Sequence, residues 1–151
     1  NPHNVECHER TTAPEIHKQV IDIERDWSAF IHGAGTGGTM EGIRRYLDRQ
    51  NMKTKLCLVR PAEMPHGIQG IGDGKDFLVN PENMDRIIEV STEDAILRAK
   101  RFIKETGLLI GISSGANILA SERYVENNLV TGAVITMLCD RGERYMSIYG
   151  K

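Results

Sequence analysis

The segment Gly33-Ala34-Gly35-Thr36-Gly37-Gly38-Thr39 has the residue types and spacing of an anion site. Glycine lets a backbone approach a ligand closely. A glycine-rich turn that opens a helix also presents free amide hydrogens at the positive end of the helix dipole. That combination holds phosphate above all, and the hydroxyls of Thr36 and Thr39 add donors. Gly70-Ile71-Gly72-Asp73-Gly74 and Gly111-Ile112-Ser113-Ser114-Gly115 are two further clusters. The clusters at 33–38 and 111–115 both fall where an apolar run gives way to a helical pattern. A tight strand-to-helix turn explains either one alone; two at equivalent points of one sheet favour a ligand.

The ligand is not a nucleoside triphosphate held by a P-loop, because no Gly-Lys-Ser/Thr follows the glycines. Gly33, Gly35 and Gly38 do satisfy G-x-G-x-x-G, the dinucleotide pattern. Its ribose-binding acid, about 20 residues on at the end of the next strand, is missing. Val59-Arg60-Pro61 stands there instead, and Arg60 keeps an NADP-binding domain as an alternative. His3, Cys7 and His8 have no fourth ligand at metal-site spacing. His17 and His32 read as packing or surface residues, and Asp140, Glu143 and Arg144 as a solvated turn with local ion pairs. Ser113, apart from any ligand, suits a helix N-cap.

The elements that must position these residues alternate between strand and helix. Residues 1–10 show no period and read as a loop or short edge strand. Thr12-Ala13-Pro14-Glu15 has the pattern of a capping box, and Ile16, Val20 and Ile23 predict a helix over about 13–25. Trp27 to His32 reads as a strand, then comes a helix with Met40, Ile43 and Leu47 on one face. Lys55 to Val59 is a strand stopped by Pro61, and 61–83 a long aperiodic loop. Ile87 to Val90 is a strand, and Ser91 caps a helix with Ala95, Ala99, Phe102 and Ile103 inward, ending at Gly107. Leu108 to Ile112 reads as a strand, Ser113 to Gly115 as a turn, Ala116 to about Asn127 as a helix, and Ala133 to Cys139 as the last strand. The expected fold is α/β: a mostly parallel twisted sheet flanked by helices, with ligands at the carboxyl ends of the strands.

Size and composition agree with one such domain over 1–151. Of the 151 residues 40% are hydrophobic and 26% charged, and the net charge is −2. A basic stripe is lacking and aromatics are only 5%, which argues against nucleic-acid binding. No apolar run reaches the roughly 18 residues of a membrane span. Cys7, Cys57 and Cys139 are widely spaced and odd in number, which suits a reducing, cytoplasmic setting.

Taken in order, the blocks resemble one family. Thr11-Thr12-Ala13-Pro14-Glu15-Ile16 precedes Gly35-Thr36-Gly37-Gly38-Thr39 and Gly42; then come Ile68-Gln69-Gly70-Ile71-Gly72, the run from Gly107 to Ala116, and Gly142-Glu143-Arg144-Tyr145. This is similar to the cysteine synthases (O-acetylserine sulfhydrylases), fold-type II pyridoxal-phosphate enzymes, over nearly the whole chain. Cystathionine β-synthases share several blocks. The sequence departs from the family at Arg60-Pro61, Lys75-Asp76 and Asp140-Arg141, where substrate and partner specificity are at stake rather than fold.

The resemblance implies pyridoxal 5′-phosphate as cofactor. It implies that Gly35, Thr36, Gly37, Gly38 and Thr39 cradle its phosphate, that Ser113 meets the pyridine nitrogen, and that Gly70 and Gly72 lie beside the substrate. It implies elimination of acetate from O-acetylserine and addition of sulfide to the resulting aminoacrylate, giving cysteine. It also implies that the cofactor-carrying lysine and the loop gripping the substrate carboxylate lie upstream. None of the seven lysines, Lys18, Lys53, Lys55, Lys75, Lys100, Lys104 and Lys151, stands in a family lysine motif. On this reading the chain is the C-terminal half of a longer, homodimeric, two-domain enzyme, inactive without its N-terminal half. A cystathionine β-synthase-like fragment and a non-catalytic binding or assembly module are the other readings.

Overall fold

Strands β1 (Trp27–Gly33), β2 (Lys55–Pro61), β3 (Arg86–Val90) and β4 (Ala133–Ile135) form one sheet in the order β3-β2-β1-β4, and every pairing is parallel. The structure, a computed structural model, describes residues 2–72 and 78–150. Asp73, Gly74, the Lys75-Asp76 pair and Lys151 lie outside the described residues. Side chains alternate across the strands. Ala29, Ile31, Cys57, Val59 and Val90 enter one core layer, and Phe30, Leu56 and Leu58 enter the other. Burial on both faces is why these strands read as nearly continuous apolar runs.

Helices cover both faces. α2 (Ala13–Asp22) and α3 (Gly38–Arg49) bury Ile16, Val20, Met40, Ile43 and Leu47 against the Phe30 layer. α4 (Thr92–Thr106) and α5 (Ile112–Glu126) pack on the opposite face. They cross closely: a Cβ at Gly115 would lie 2.8 Å from Cβ of Ala99 and overlap the carbonyl of Ala95. The Ser91 hydroxyl accepts the Asp94 amide at 3.1 Å, so Ser91 is the expected cap of α4.

Several local expectations are corrected. Residues 2–12 are helical, as α1 (Pro2–Cys7) and a π-helical turn, His8–Thr12. Their inward stripe is Val5, Glu9, Ala13, Ile16 and Val20, and the polar Glu9 within it conceals the period. The buried Glu9 carboxylate lies 2.7 Å from the Arg49 guanidinium, close enough for an ion pair although not aligned as a hydrogen bond. The chain therefore enters α2 already helical. Thr12 has helical dihedrals and makes no side-chain cap, so the capping box does not form.

The strand expected over 108–112 is absent. Ile110 makes a single antiparallel bridge to Arg141, and the helix has already begun at Ile112. Ser113 to Gly115 are thus the first turn of α5, and its N-cap is Gly111 rather than Ser113. β4 stops at Ile135, short of Cys139. Strand and helix do not alternate strictly either. β2 reaches β3 through the long loop, whose described residues hold the short 3-10 turn Pro81–Asn83, whereas both α4 and α5 lie between β3 and β4.

The chain moves from β1 outward to β2 and β3, then crosses to place β4 on the other side of β1. The strand order reverses at β1, so the crevice beyond its carboxyl end, at Gly33, is where an α/β sheet offers a ligand site.

Candidate functional site

From Gly33 the backbone runs through Ala34 to Gly37 and straight into α3. Gly37 caps that helix with φ at +87°, a left-handed conformation that disfavours any side chain. A Cβ there would also lie 2.7 Å from a methyl of Val79 and 2.9 Å from its backbone nitrogen. The first amides of α3 have no partner within the helix, and they open on a cavity of about 230 Å³. Residues 33–40 line it together with Asn4, His8, His32, Gly70 and Cys139.

The long loop braces this turn. The Gly72 amide donates to the Ala34 carbonyl at 2.8 Å, and the Leu78 amide donates to the Thr36 carbonyl at 2.6 Å. Gly70 has φ at +93°, and a Cβ on it would come to 3.4 Å from the Ser113 hydroxyl. The second and third glycine clusters, far apart in sequence, therefore meet beside the first. Gly35 and Gly70 also touch, since a Cβ on Gly35 would lie 3.0 Å from the Gly70 carbonyl.

α5 locks the turn from behind. Asn117, fully buried, accepts the Gly33 amide at 2.9 Å through Oδ1. Its amide nitrogen lies 3.0 Å from the Met137 carbonyl and 3.1 Å from His32 Nδ1. The Ser114 hydroxyl accepts the Cys139 amide at 3.0 Å. Burial pushes the Cys139 thiol above its usual range, although hydrogen bonds from Ser113 and Asn117 oppose that shift.

Two histidines face the same cavity. His8, in the π-helical turn, places Nε2 3.1 Å from the Thr39 hydroxyl and Nδ1 2.9 Å from that of Thr12. Gly42 permits this approach, because a Cβ on it would lie 2.6 Å from Cβ of His8. Burial lowers the His8 pKa. It lowers that of His32 to about 4, with the facing His8 as a smaller cause. At neutral pH His32 is an uncharged imidazole.

A turn of close-approach glycines, unpaired helix-start amides and two threonine hydroxyls, with no carboxylate lining the cavity among the described residues, has the donor chemistry of a phosphate cradle. A larger cavity of about 540 Å³ lies at the opposite ends of the strands, lined by residues such as Asp26, Lys53 and Tyr124. It has no comparable array of amides. Residues 1–140 match the family described as pyridoxal-phosphate dependent enzyme. The chain belongs to this family.

Among its relatives, the cysteine synthase of Buchnera aphidicola is 40% identical over 97% of this chain and 51% of its own length. A hydrogen sulfide-producing enzyme from Fusobacterium nucleatum superposes with a TM-score of 0.87 at 29% identity, covering 97% of this chain and 47% of that one. The O-acetylserine dependent cystathionine beta-synthase from Helicobacter pylori gives 0.81 at 30%, covering 97% and 50%. This chain spans about half the length of the curated relatives it matches. The family is pyridoxal-phosphate dependent and the fold is that of its fold-type II members, so the NADP-binding reading of Arg60 is not favoured. Arg60 does not line the cavity.

The structure brings Gly35 to Thr39, Gly70, Gly72 and Ser113 into one neighbourhood. It does not gather His3, Cys7 and His8. His3 and Cys7 are exposed, with His3 beside Glu6, while His8 turns to the threonines. Among the described residues no group of three or more His, Cys, Asp or Glu side chains could hold a metal, and no helix is long and apolar enough to cross a membrane. The Asp140 carboxylate accepts the Tyr145 hydroxyl at 2.8 Å, and Arg141 pairs with Glu143. Sequence reasoning missed His8, His32 and Asn117 as neighbours of the glycine turn. His32 carried one usable signal: it directly precedes that turn.

Proposed function

We propose that this chain forms the cofactor-cradling part of a pyridoxal-phosphate-dependent cysteine synthase. The complete enzyme replaces the acetoxy group of O-acetylserine with sulfide, releasing acetate and cysteine. The observation that carries this reading is the meeting of three glycine clusters at the end of β1, in a chain whose relatives include cysteine synthases.

Pyridoxal phosphate, when bound, supplies the electron sink that makes an amino acid's α-proton acidic and lets its β-substituent leave. This chain's residues would bind and orient it. The amides and hydroxyls of Gly35 to Thr39 would hold the phosphate dianion. Ser113, buried next to Gly70, would hydrogen-bond the ring nitrogen without delivering full positive charge to it. A neutral partner of that kind favours β-elimination and replacement over transamination. Gly70 and Gly72 would give the substrate a wall of backbone without side chains.

No described lysine of this chain lines the cavity: Lys18, Lys53, Lys55, Lys100 and Lys104 all lie elsewhere, and Lys55 is paired with Asp85 at 2.7 Å. The cofactor-carrying lysine would come from the N-terminal half of the same enzyme, and the assembled protein would be a homodimer with small-molecule substrates.

The test is to incubate the chain with pyridoxal phosphate, reduce with borohydride and map modified lysines by mass spectrometry. We expect cofactor binding without a specific reduced adduct and without cysteine formation. Adding the N-terminal half in trans should restore turnover. A single reduced lysine with cysteine synthesis by this chain alone would overturn the fragment reading.

A further inference from the structure

Asn117 determines which nitrogen of His32 carries the proton. Its Oδ1 accepts the Gly33 amide, and that bond fixes the orientation of the carboxamide. Its nitrogen must then be the donor in its other contacts: the Met137 carbonyl at 3.0 Å and His32 Nδ1 at 3.1 Å are the near acceptors, and the Cys139 sulfur lies further off at 3.6 Å. Nδ1 of His32 is therefore an acceptor, and the proton of the neutral ring sits on Nε2. Nε2 has no hydrogen-bond partner among the described residues. The ring is 7% exposed and lines the cavity at the glycine turn. Nε2 is not sealed from solvent, so its N–H stands at the cavity with no protein acceptor among the described residues.

From this geometry we propose that the Nε2–H of His32 is a hydrogen-bond donor to the phosphate group held at residues 35–39, a binding role beyond the backbone cradle. The inference rests on the cofactor-site reading above. The phosphate completes the donor array: helix-start amides from α3 on one side and a neutral imidazole N–H from β1 on the other. Asn117 is a positioning residue here. It touches the imidazole and the turn, and it selects the tautomer that points a donor at the ligand.

The probes are inorganic phosphate and pyridoxal 5′-phosphate, titrated into the 151-residue chain. Two-dimensional 15N–1H spectra of the imidazoles report the tautomer. His32 should appear as the Nε2–H form, and that proton should shift and exchange more slowly as phosphate is added. Equilibrium dialysis should give about tenfold weaker binding of both probes for His32→Leu. His32→Gln, which keeps an N–H donor, should bind within about threefold of wild type. A His32 found in the Nδ1–H form, a resonance unmoved by saturating phosphate, or a His32→Leu chain that binds as tightly as wild type would each overturn the inference while leaving the cofactor site standing. A wild-type chain that binds neither probe would overturn both.

Discussion

The Asn117 carboxamide and the Gly33 amide meet at 2.9 Å across 84 residues of sequence, so the end of the central strand is fastened directly to the second turn of α5. Four groups meet that one side chain: the Gly33 N–H, the Met137 carbonyl, His32 Nδ1 and, at 3.6 Å, the Cys139 sulfur. Asn117→Leu keeps the volume but leaves all four without it. We expect a loss of about 3 kcal/mol or more in urea unfolding, since each buried unsatisfied group costs about 1–3 kcal/mol. Ser121→Ala, one turn further along α5 and losing only a bond to a helical carbonyl, serves as the control and should cost under about 1 kcal/mol. Equal losses in the two variants would remove Asn117 from this role.

The left-handed Gly37 gives a second prediction. Alanine there adds the dihedral penalty of about 1–2 kcal/mol and drives its Cβ toward the Val79 backbone, which is not free to swing aside. Gly37→Ala should lower the unfolding midpoint and weaken phosphate binding at least tenfold, because relief of the overlap moves the turn. For Gly38→Ala the nearest atoms all belong to the Asn4 side chain, which is exposed and can rotate. It should be the milder of the two. Denaturation curves and dialysis on both variants decide this, and the reverse ranking would mean that Val79 does not brace the turn.

The contrast between these residues shows where the sequence was legible. The glycine turn, α3 and the cap of α4 could be read locally, because a turn's dihedrals and a helix's period are written in neighbouring residues. Asn117 and His32 could not, since their partnership exists only after β1 and α5 pack. The helical start was hidden by the buried, ion-paired Glu9 standing where the apolar period needed a hydrophobic residue. The missing strand at 108–112 failed for a related reason. Leu108 to Ile110 are apolar enough for a strand, but α5 begins at Ile112, so only Ile110 bridges, and to Arg141 rather than to the parallel sheet.

Ser113 separates ring contacts from phosphate contacts. It stands in the first turn of α5 without capping it, and its hydroxyl faces Gly70. Ser113→Ala should therefore change stability by under about 1 kcal/mol. It should leave inorganic phosphate affinity unchanged and alter the absorption spectrum of added pyridoxal phosphate. An identical spectrum would exclude Ser113 from contact with the ring. Weakened phosphate binding would place it on the phosphate side instead.

The neutral His32 makes stability depend on acid in a defined window. Its pKa falls from the ordinary 6.5 to about 4 on folding, so between those values the unfolded chain binds a proton that the folded chain refuses. Stability then rises with pH across the window. It is undiminished above about 6.5, declines as pH falls, and reaches its full loss for this residue near 4. A shift of this size corresponds to about 3 kcal/mol. His8, also lowered by burial, adds a smaller slope of the same sign just below 6.5. Glu41 acts lower in pH. Hydrogen bonds from Arg44 and Arg45 outweigh the opposing effect of burial and hold its carboxyl below 4.5, so its contribution is lost only as pH falls beneath that value. His32→Gln carries no titrating ring but can still accept the Asn117 amide. Urea midpoints measured at pH 7.5, 6 and 5 should fall steeply for wild type and much less for His32→Gln. Parallel declines in the two proteins would show that another group carries the acid sensitivity and that the imidazole is not held neutral in the fold.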